Sequence, residues 1–178
     1  MRALIGLYVV CALPAAIAAE SSGAALPVPH IRQEKRGCGA ASVAMVMHYW
    51  ASYFGTELPP PKPASEVYRE LYDAERKGVR LIDMKRYFHD AGYQAFALHG
   101  QSGDLEQHLA KGRPVIVSLS KKRLKGMHFA VLSGLDAGHA WLNDPTKKIR
   151  RLKRGEFEKE WANADRWMLL ATPDPAKQ

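Results

Sequence analysis

The pattern of apolar and polar positions divides the chain into a first part with helical spacing and a second part with strand spacing. Ala40 to Phe54 contains no glycine or proline and is apolar around most of its circumference, which predicts a buried central helix that Gly55 ends. Ser65 can cap a second helix that runs to about Lys77, where Gly78 ends it. Shorter helices are predicted over Ile82 to Asp90, Asp104 to Lys111 and Gly155 to Ala162.

Runs that alternate, or that are continuously apolar and rich in β-branched residues, predict the strands. They are Tyr93 to Leu98, Pro114 to Leu119, His128 to Leu135, Ala140 to Asn143 and Trp167 to Ala171. Asp136-Ala137-Gly138 is typical of a tight turn and joins two of these strands in a hairpin. Because helices come first and strands later, we predict an α+β fold with a helical part packed on a C-terminal antiparallel sheet.

Residues 1–19 have the pattern of a secretory signal peptide. A basic start is followed by an apolar run from Leu4 to Leu13, and small residues allow cleavage after Ala18 or Ala19. A transmembrane anchor is the alternative, but a membrane span takes about 20 apolar residues, more than this run offers. We therefore expect residues 20–178 to form a single exported domain, in the periplasm or outside the cell.

The composition, with 47% apolar and 25% charged residues, is that of a globular chain rather than a disordered one. The net charge is +8, and the basic residues concentrate at Lys121 to Lys125 and at Lys147 to Arg154. Such clusters can bind nucleic acid, but an exported protein rarely meets it. An acidic peptide, an anionic envelope surface or simple solvation are the remaining explanations. We expect no nucleic-acid partner, and a monomer.

Cys38 is the one cysteine that remains after removal of a leader containing Cys11, so no internal disulfide is expected. Gly37 and Gly39 flank it, directly before the predicted central helix. A helix N-terminus lowers the pKa of a cysteine, and flanking glycines allow a substrate to approach the backbone closely. Cys38 is therefore a candidate nucleophile. The alternative is a small buried apolar side chain, which is a common role for a free cysteine.

His128 is the best candidate for a base among the seven histidines, because it begins a strongly apolar strand where a polar ring needs a partner. Asp144 follows the other strand of the same hairpin, about as far from the turn, so the two residues should be near neighbours. A purely structural histidine–aspartate pair is the alternative. The backbone N–H of Cys38 and the side-chain amide of Gln33 can together stabilise an oxyanion.

Other chemistries have little support in the sequence. The histidines and Cys38 show neither the CxxC nor the HxxxH spacing of a metal site, so we expect no metal and no cofactor. Gly-x-Ser-x-Gly and phosphate-binding glycine loops are also absent from the sequence.

Taken together, these motifs resemble the C39-type peptidases, which are papain-like cysteine peptidases. The resemblance extends from about Pro27 to Thr172. Its matching residues are Val28-Pro29, Gln33, Cys38 to Met47, Tyr49, Leu81 to Lys85, Gly92-Tyr93, Leu109 to Val117, Met127 to Leu135 and Leu142 to Pro145. It implies a papain-like fold in which Cys38 is the nucleophile, His128 the base, Asp144 the orienting acid and Gln33 the oxyanion-hole glutamine.

The chain also departs from that family. The exporter-linked members that cut after a double glycine usually have one more residue between the glutamine and the cysteine than Gln33 and Cys38 have. Neither a transporter segment nor the cytoplasmic location of those domains is expected here. The resemblance therefore implies an exported cysteine peptidase that processes or assists a secreted, surface or fibre-forming protein. A papain-like amidase or transpeptidase and a non-catalytic peptide-binding module remain alternatives.

Overall fold

The computed structural model describes residues 25–55, 58, 60–122 and 126–174, so the predicted signal peptide lies outside the described residues. These residues form five α-helices and six β-strands. The helices are α1 (Cys38–Phe54), α2 (Ala64–Leu71), α3 (Leu81–Asp90), α4 (Ser102–Ala110) and α5 (Arg154–Asn163). The strands are β1 (Tyr93–His99), β2 (Val115–Leu119), β3 (His128–Leu135), β4 (His139–Asn143), β5 (Ile149–Lys153) and β6 (Trp167–Pro173).

The strands form one antiparallel sheet in the order β1-β6-β2-β3-β4-β5. One face packs against α1, α2 and α3, with Val131 and Leu169 among the sheet residues in that cluster. The other face packs against α4 and α5, with Leu132 and Trp161 in the second cluster. The predicted α+β fold is confirmed, and the structure adds that helices cover both faces of the sheet.

Helix α1 is buried on almost every side, as its apolar sequence predicts. The residues from Gly39 to Met47 are all buried, and so are Tyr49 and Trp50. Gly39 has no room for a side chain, because an added Cβ would lie 2.9 Å from both Met84 and Val79. The helix begins at Cys38, two residues earlier than predicted, and ends at Gly55, which has a positive φ of 61°.

The prediction for the second helix was wrong about its cap and its end. The helix begins after Pro63, which has no side-chain cap hydrogen bond, so Ser65 lies inside the first turn and is not the cap. It ends at Leu71, and the chain then folds into a small loop closed by backbone hydrogen bonds between Asp73 and Gly78. The Asp73 carboxylate accepts hydrogen bonds from two backbone N–H groups within this loop. Such local bonds compete with helix formation.

Strand β5 was not predicted. Its sequence, Ile-Arg-Arg-Leu-Lys, has only one buried residue, Leu152, and lies within a basic cluster. It pairs with β4 through five residue pairs and forms one edge of the sheet. Its pairing therefore depends on the neighbouring strand rather than on an alternating apolar pattern of its own.

Candidate active site

Cys38 is the first residue of α1, where the dipole of a buried helix favours a negative charge on the sulfur. Its thiol lies close enough to the His128 side chain and to the backbone N–H groups of Phe129 and Gly39 for all three to stabilise a thiolate. Cys38 is the one free cysteine among the described residues, and it is only partly exposed. The predicted nucleophile and base are therefore near enough for each to affect the protonation of the other.

The His128 ring also contacts Asp144. Its Nε2–H donates a hydrogen bond of 2.8 Å to Oδ1 of Asp144. Because Nε2 is engaged there, Nδ1 is the ring nitrogen left for the Cys38 thiol. The structure thus brings together three of the predicted site residues in the order sulfur, imidazole, carboxylate.

The two side chains are near neighbours, as predicted, but they meet through a β-bulge rather than as directly opposite residues of the hairpin. Leu135 pairs with Ala140, but the register shifts at Ser133, so that Val131 pairs with Asn143. Continuing this register places Asp144 level with Ala130, two residues from His128 and on the same face. Without the extra residue, Asp144 would lie on the opposite face from His128, because side chains alternate along a strand.

The bulge is anchored to the segment before α1. The backbone carbonyl of Ser133 accepts a hydrogen bond of 2.7 Å from the N–H of Leu26. The Ser133 hydroxyl donates to Asn143 at 2.9 Å, and Asn143 donates in turn to the carbonyl of Val28 at 2.7 Å. This buried network fixes the register on which the contact between His128 and Asp144 depends.

The Asp144 carboxylate is almost completely buried, at 1% exposure, and all its neighbours stabilise its charge. Oδ1 accepts from the backbone N–H of Thr146 at 2.9 Å and from its hydroxyl at 2.7 Å, besides His128. Oδ2 accepts from Arg150 at 3.0 Å. Burial by itself would raise the pKa of Asp144, but the hydrogen bonds from His128 and Thr146 hold that pKa far below its ordinary value.

Cys38 and His128 shift each other's protonation. Burial opposes the charged form of both groups, but hydrogen bonds and charge outweigh it. The bonds to Asp144 and to Cys38 raise the pKa of His128 to about 9. The bonds from His128 and from the Phe129 backbone lower the pKa of the Cys38 thiol below its ordinary value. The arrangement therefore favours a thiolate–imidazolium pair at pH values between the lowered pKa of Cys38 and about 9, with the two protons titrating together.

Gln33 belongs to a strap, residues 28–33, that runs alongside the end of β4. Three hydrogen bonds join the two segments: Asn143 to the carbonyl of Val28, the His30 ring to the carbonyl of Asp144 at 2.9 Å, and the Gln33 N–H to the carbonyl of Pro145 at 3.0 Å. The predicted oxyanion glutamine is therefore tied to the residue that follows Asp144.

The Gln33 side-chain carbonyl is buried and accepts no hydrogen bond from the described residues. Between Gln33 and Cys38 the chain makes a tight turn in which the N–H of Gly37 donates to the carbonyl of Glu34 at 2.9 Å. Arg36 adopts a positive φ of 58° within it. This left-handed residue reverses the chain within the short spacing between the glutamine and the cysteine.

Two residues of this site were not identified from the sequence. Thr146 and Arg150 both bind the Asp144 carboxylate, from positions two and six residues later. Thr146 could have been found, because a threonine two residues after an aspartate is typical of a local turn. Arg150 could not, because nothing in the sequence distinguishes it from the other basic residues of the cluster from Lys147 to Arg154.

The fold and the site define a cysteine-type peptidase, and comparison with known proteins identifies the family. The model of the peptidase C39-like family matches residues 25–167. The chain therefore belongs to this family.

Curated relatives include the transport/processing ATP-binding protein ComA of Streptococcus pneumoniae, in strains R6 and TIGR4. Each is 26% identical over 147 residues, which is 80% of this chain and 18% of the relative. The chain thus spans about a fifth of the length of the curated relatives it matches.

Solved structures share the fold. A double glycine motif protease from an AMS/PCAT transporter, in complex with its leader peptide, is 24% identical with a TM-score of 0.63, covering 84% of this chain and 94% of that one. A putative C39-like peptidase from Bacillus anthracis is 18% identical with a TM-score of 0.64, covering 85% and 98%. The peptidase domain of Streptococcus ComA is 19% identical with a TM-score of 0.61, covering 83% and 99%.

Within the described ranges, no helix has both the length and the hydropathy needed to cross a bilayer.

Proposed function

We propose that this chain is an exported cysteine peptidase that hydrolyses a peptide bond of a protein substrate, with Cys38 as nucleophile, His128 as base and Asp144 as orienting acid. The observation that supports this most directly is the line from the Cys38 sulfur to the adjacent His128 ring, which is hydrogen-bonded at 2.8 Å to the buried Asp144 carboxylate. A thiol at a helix N-terminus, next to an imidazole that a carboxylate orients, is the arrangement that nucleophilic catalysis requires.

The first half of the reaction forms an acyl-enzyme. The Cys38 thiolate attacks the carbonyl carbon of the scissile peptide bond, and the electron pair moves to the carbonyl oxygen. The backbone N–H of Cys38 and the Gln33 amide stabilise that oxyanion. When the oxyanion collapses, the C–N bond breaks, and His128 transfers its Nδ1 proton to the leaving amine. The acyl group remains on Cys38 as a thioester.

The second half restores the enzyme. Neutral His128 takes a proton from water, the resulting hydroxide attacks the thioester, and the C–S bond breaks to release the acid and the thiolate. Asp144 keeps the ring in the tautomer that presents Nδ1 to the sulfur and stabilises the imidazolium in both halves. Its hydrogen bonds from Thr146 and Arg150 hold the carboxylate in place for that purpose.

We propose that the substrate is a secreted, surface or fibre-forming protein that this enzyme processes or assists. The leader-like pattern of residues 1–19 supports export. The complex of the similar transporter protease with a leader peptide supports a peptide substrate. Cleavage after a double glycine is one specificity to test, because the similar transporter domain is a double glycine motif protease.

Replacement of Cys38 by alanine should abolish both cleavage and labelling by a peptide that carries a thiol-reactive electrophile. The full chain is expressed in a bacterium, the cells are fractionated, and the labelled species is identified by intact mass. We expect the label on Cys38, in the periplasmic fraction, on a chain that lacks residues 1–18 or 1–19. Internally quenched peptides with and without a double glycine then measure hydrolysis.

The Cys38→Ala chain is the matched control for every readout. Cleavage by that variant would contradict the proposed mechanism, and a labelled chain that retains residues 1–19 would contradict the proposed export. Mass spectrometry of products formed with an added amine tests for transpeptidation, since an amide product would show that an amine replaces water. A Cys38 thiol that titrates at its ordinary pKa would favour a peptide-binding module.

A further inference from the structure

A strongly basic groove lies beside the site and has no role in the chemistry described so far. The basic groove is lined by His30, Arg32, Thr146, Lys147, Lys148 and Arg150, and its volume is about 600 Å³. Exposed Ile149 adds an apolar side chain to its wall. It is formed where the strap before α1 meets the loop between β4 and β5.

The charge of the basic groove is largely uncompensated. None of its lining residues is acidic. Arg150 is paired with Asp144, but no carboxylate of a described residue lies within 4.0 Å of the side chains of Arg32, Lys147 or Lys148. All three of these side chains are exposed. Like charges grouped in a concave surface repel each other, so the groove favours an anionic occupant.

The basic groove is continuous with a depression that contains two of the proposed catalytic residues, His128 and Asp144. Thr146, Lys147 and Arg150 line both, and the depression has a volume of about 230 Å³. Besides Asp144, that depression contains one other carboxylate, Glu160, which is 9% exposed and lies 4.0 Å from Arg150. An extended peptide advances about 3.3 Å per residue, so a chain with its scissile bond near His128 reaches the groove within a few residues.

We propose that the basic groove binds an acidic segment of the peptide substrate, next to the scissile bond. This enzyme would then select substrates that carry glutamate or aspartate in the segment that reaches the groove. The selectivity rests on the proposed function, because it assigns the groove to the substrate of the same site. The side chains that would provide it are Arg32, Lys147 and Lys148, while Ile149 offers an apolar contact between the charges.

A peptide fits this surface better than a membrane or a nucleic acid. The basic groove shares Thr146, Lys147 and Arg150 with the depression that contains His128, so a peptide bound at the active site also meets its cations, whereas a lipid surface has no reason to contact that site. Binding of single-stranded nucleic acid needs exposed aromatic side chains on which bases stack, and no aromatic ring other than that of His30 lines the groove.

The test measures binding separately from cleavage. Fluorescence anisotropy follows a labelled oligoglutamate and an oligoglutamine of equal length as they bind to the Cys38→Ala chain at low and physiological salt. One variant removes the groove charges by Arg32→Gln, Lys147→Gln and Lys148→Gln. A matched variant carries Arg69→Gln, Lys85→Gln and Lys111→Gln, which removes the same net charge from positions that line neither depression.

We expect oligoglutamate to bind more tightly than oligoglutamine, the groove variant to lose about tenfold in affinity, and the matched variant to lose less than about twofold. Equal losses in both variants would overturn the proposal, because they would show only the effect of net charge. No preference for oligoglutamate would overturn it as well. So would a groove variant that keeps its peptide affinity but loses binding to phosphatidylglycerol vesicles, since the groove would then be a membrane surface.

A second measurement uses the chain with Cys38 intact. Its internally quenched peptides carry either glutamate or glutamine in the segments that flank the cleavage site. A lower KM for the acidic peptides, lost in the groove variant, supports the proposal. Cleavage that is independent of the flanks overturns it. If no peptide is cleaved while the difference in oligoglutamate affinity persists, the proposed peptidase function fails and the assignment of the groove to an acidic ligand stands.

Discussion

Asp83 in α3 and Asp144 after β4 are both buried, but their carboxylates have different partners. Asp83 is 8% exposed and accepts hydrogen bonds from Arg80 at 2.9 Å and from Arg86 at 2.6 Å. Both arginines lie three residues away along the chain and are themselves largely exposed. Asp144 instead has His128 as a partner, sixteen residues earlier and across a bulged hairpin.

The difference lies in what each carboxylate stabilises. Arginine stays charged at every accessible pH, so the pairs around Asp83 hold the first turn of α3 without moving a proton. The imidazole beside Asp144 gains and loses a proton, and its other side contacts a thiol. Burial and ion pairing are therefore common to both sites, and only the titratable partner with a reactive neighbour distinguishes the proposed catalytic one.

The largest effect that separates the two sites should come from the same substitution at each. Asp144→Asn is expected to lower kcat/KM by about 10²–10⁴-fold, because an amide can donate to His128 and hold the ring in the wrong tautomer. Asp83→Asn should leave kcat/KM within about twofold and lower the free energy of unfolding by about 1 kcal/mol, since its partners are exposed. Steady-state kinetics and thermal unfolding of both variants give the comparison.

Circular dichroism of both variants is the control for folding. The distinction would break down if Asp83→Asn lost as much activity as Asp144→Asn in a folded chain. It would also break down if Asp144→Asn kept full activity.

The local setting of Asp83 could be predicted from the sequence far better than that of Asp144. Arginines three residues before and after an aspartate lie on one face of a helix, and α3 was predicted almost to the residue. The cysteine at the start of α1 and the hairpin of His128 were also predicted, because glycines, turn residues and apolar runs are local signals. The bulge at Ser133 and the strap hydrogen bonds to Asn143 and Pro145 were not predicted, since they join residues that are distant in the chain.

A second, smaller effect concerns pH. The pKa of His128 is raised to about 9 and that of Cys38 is lowered, so the thiolate–imidazolium pair exists between these two values. We expect kcat/KM to be level between these two pKa values and to fall about tenfold per unit above about pH 9, as His128 loses its proton. On the acid side, kcat/KM should fall once the pH drops below the lowered pKa of Cys38.

The pH profile of Asp83→Asn should overlay that of the unchanged chain, because neither arginine titrates in this range. Alkylation of Cys38 by iodoacetamide at each pH measures the thiolate without a substrate. An alkaline limb of kcat/KM near the ordinary histidine pKa of about 6.5 would show that the contact with Asp144 does not support the charged ring.

The smallest effect should come from the arginines. Arg150 donates to Oδ2 of Asp144 at 3.0 Å and is mostly buried, whereas Arg86 makes the equivalent contact to Asp83 from an exposed position. We expect Arg150→Met to slow Cys38 alkylation at neutral pH by about three- to tenfold, because a less firmly held Asp144 stabilises the imidazolium less and the thiolate is lost with it. Arg86→Met should change the alkylation rate by less than about twofold.

Arg150 acts through Asp144 and is therefore a positioning residue. Its test must follow the titration of the Cys38 thiol rather than activity alone. Iodoacetamide is small and neutral, so its rate of reaction is independent of the basic groove that Arg150 also lines. A loss of helix or strand packing would lower the unfolding temperature without moving the pH at which the thiol titrates. A positioning role predicts a higher thiol pKa in Arg150→Met, and partial return in Arg150→Lys, which keeps the charge but not the fixed geometry of the guanidinium. If the thiol titrates at the same pH in Arg150→Met as in the unchanged chain, the arginines at both aspartates serve the fold alone.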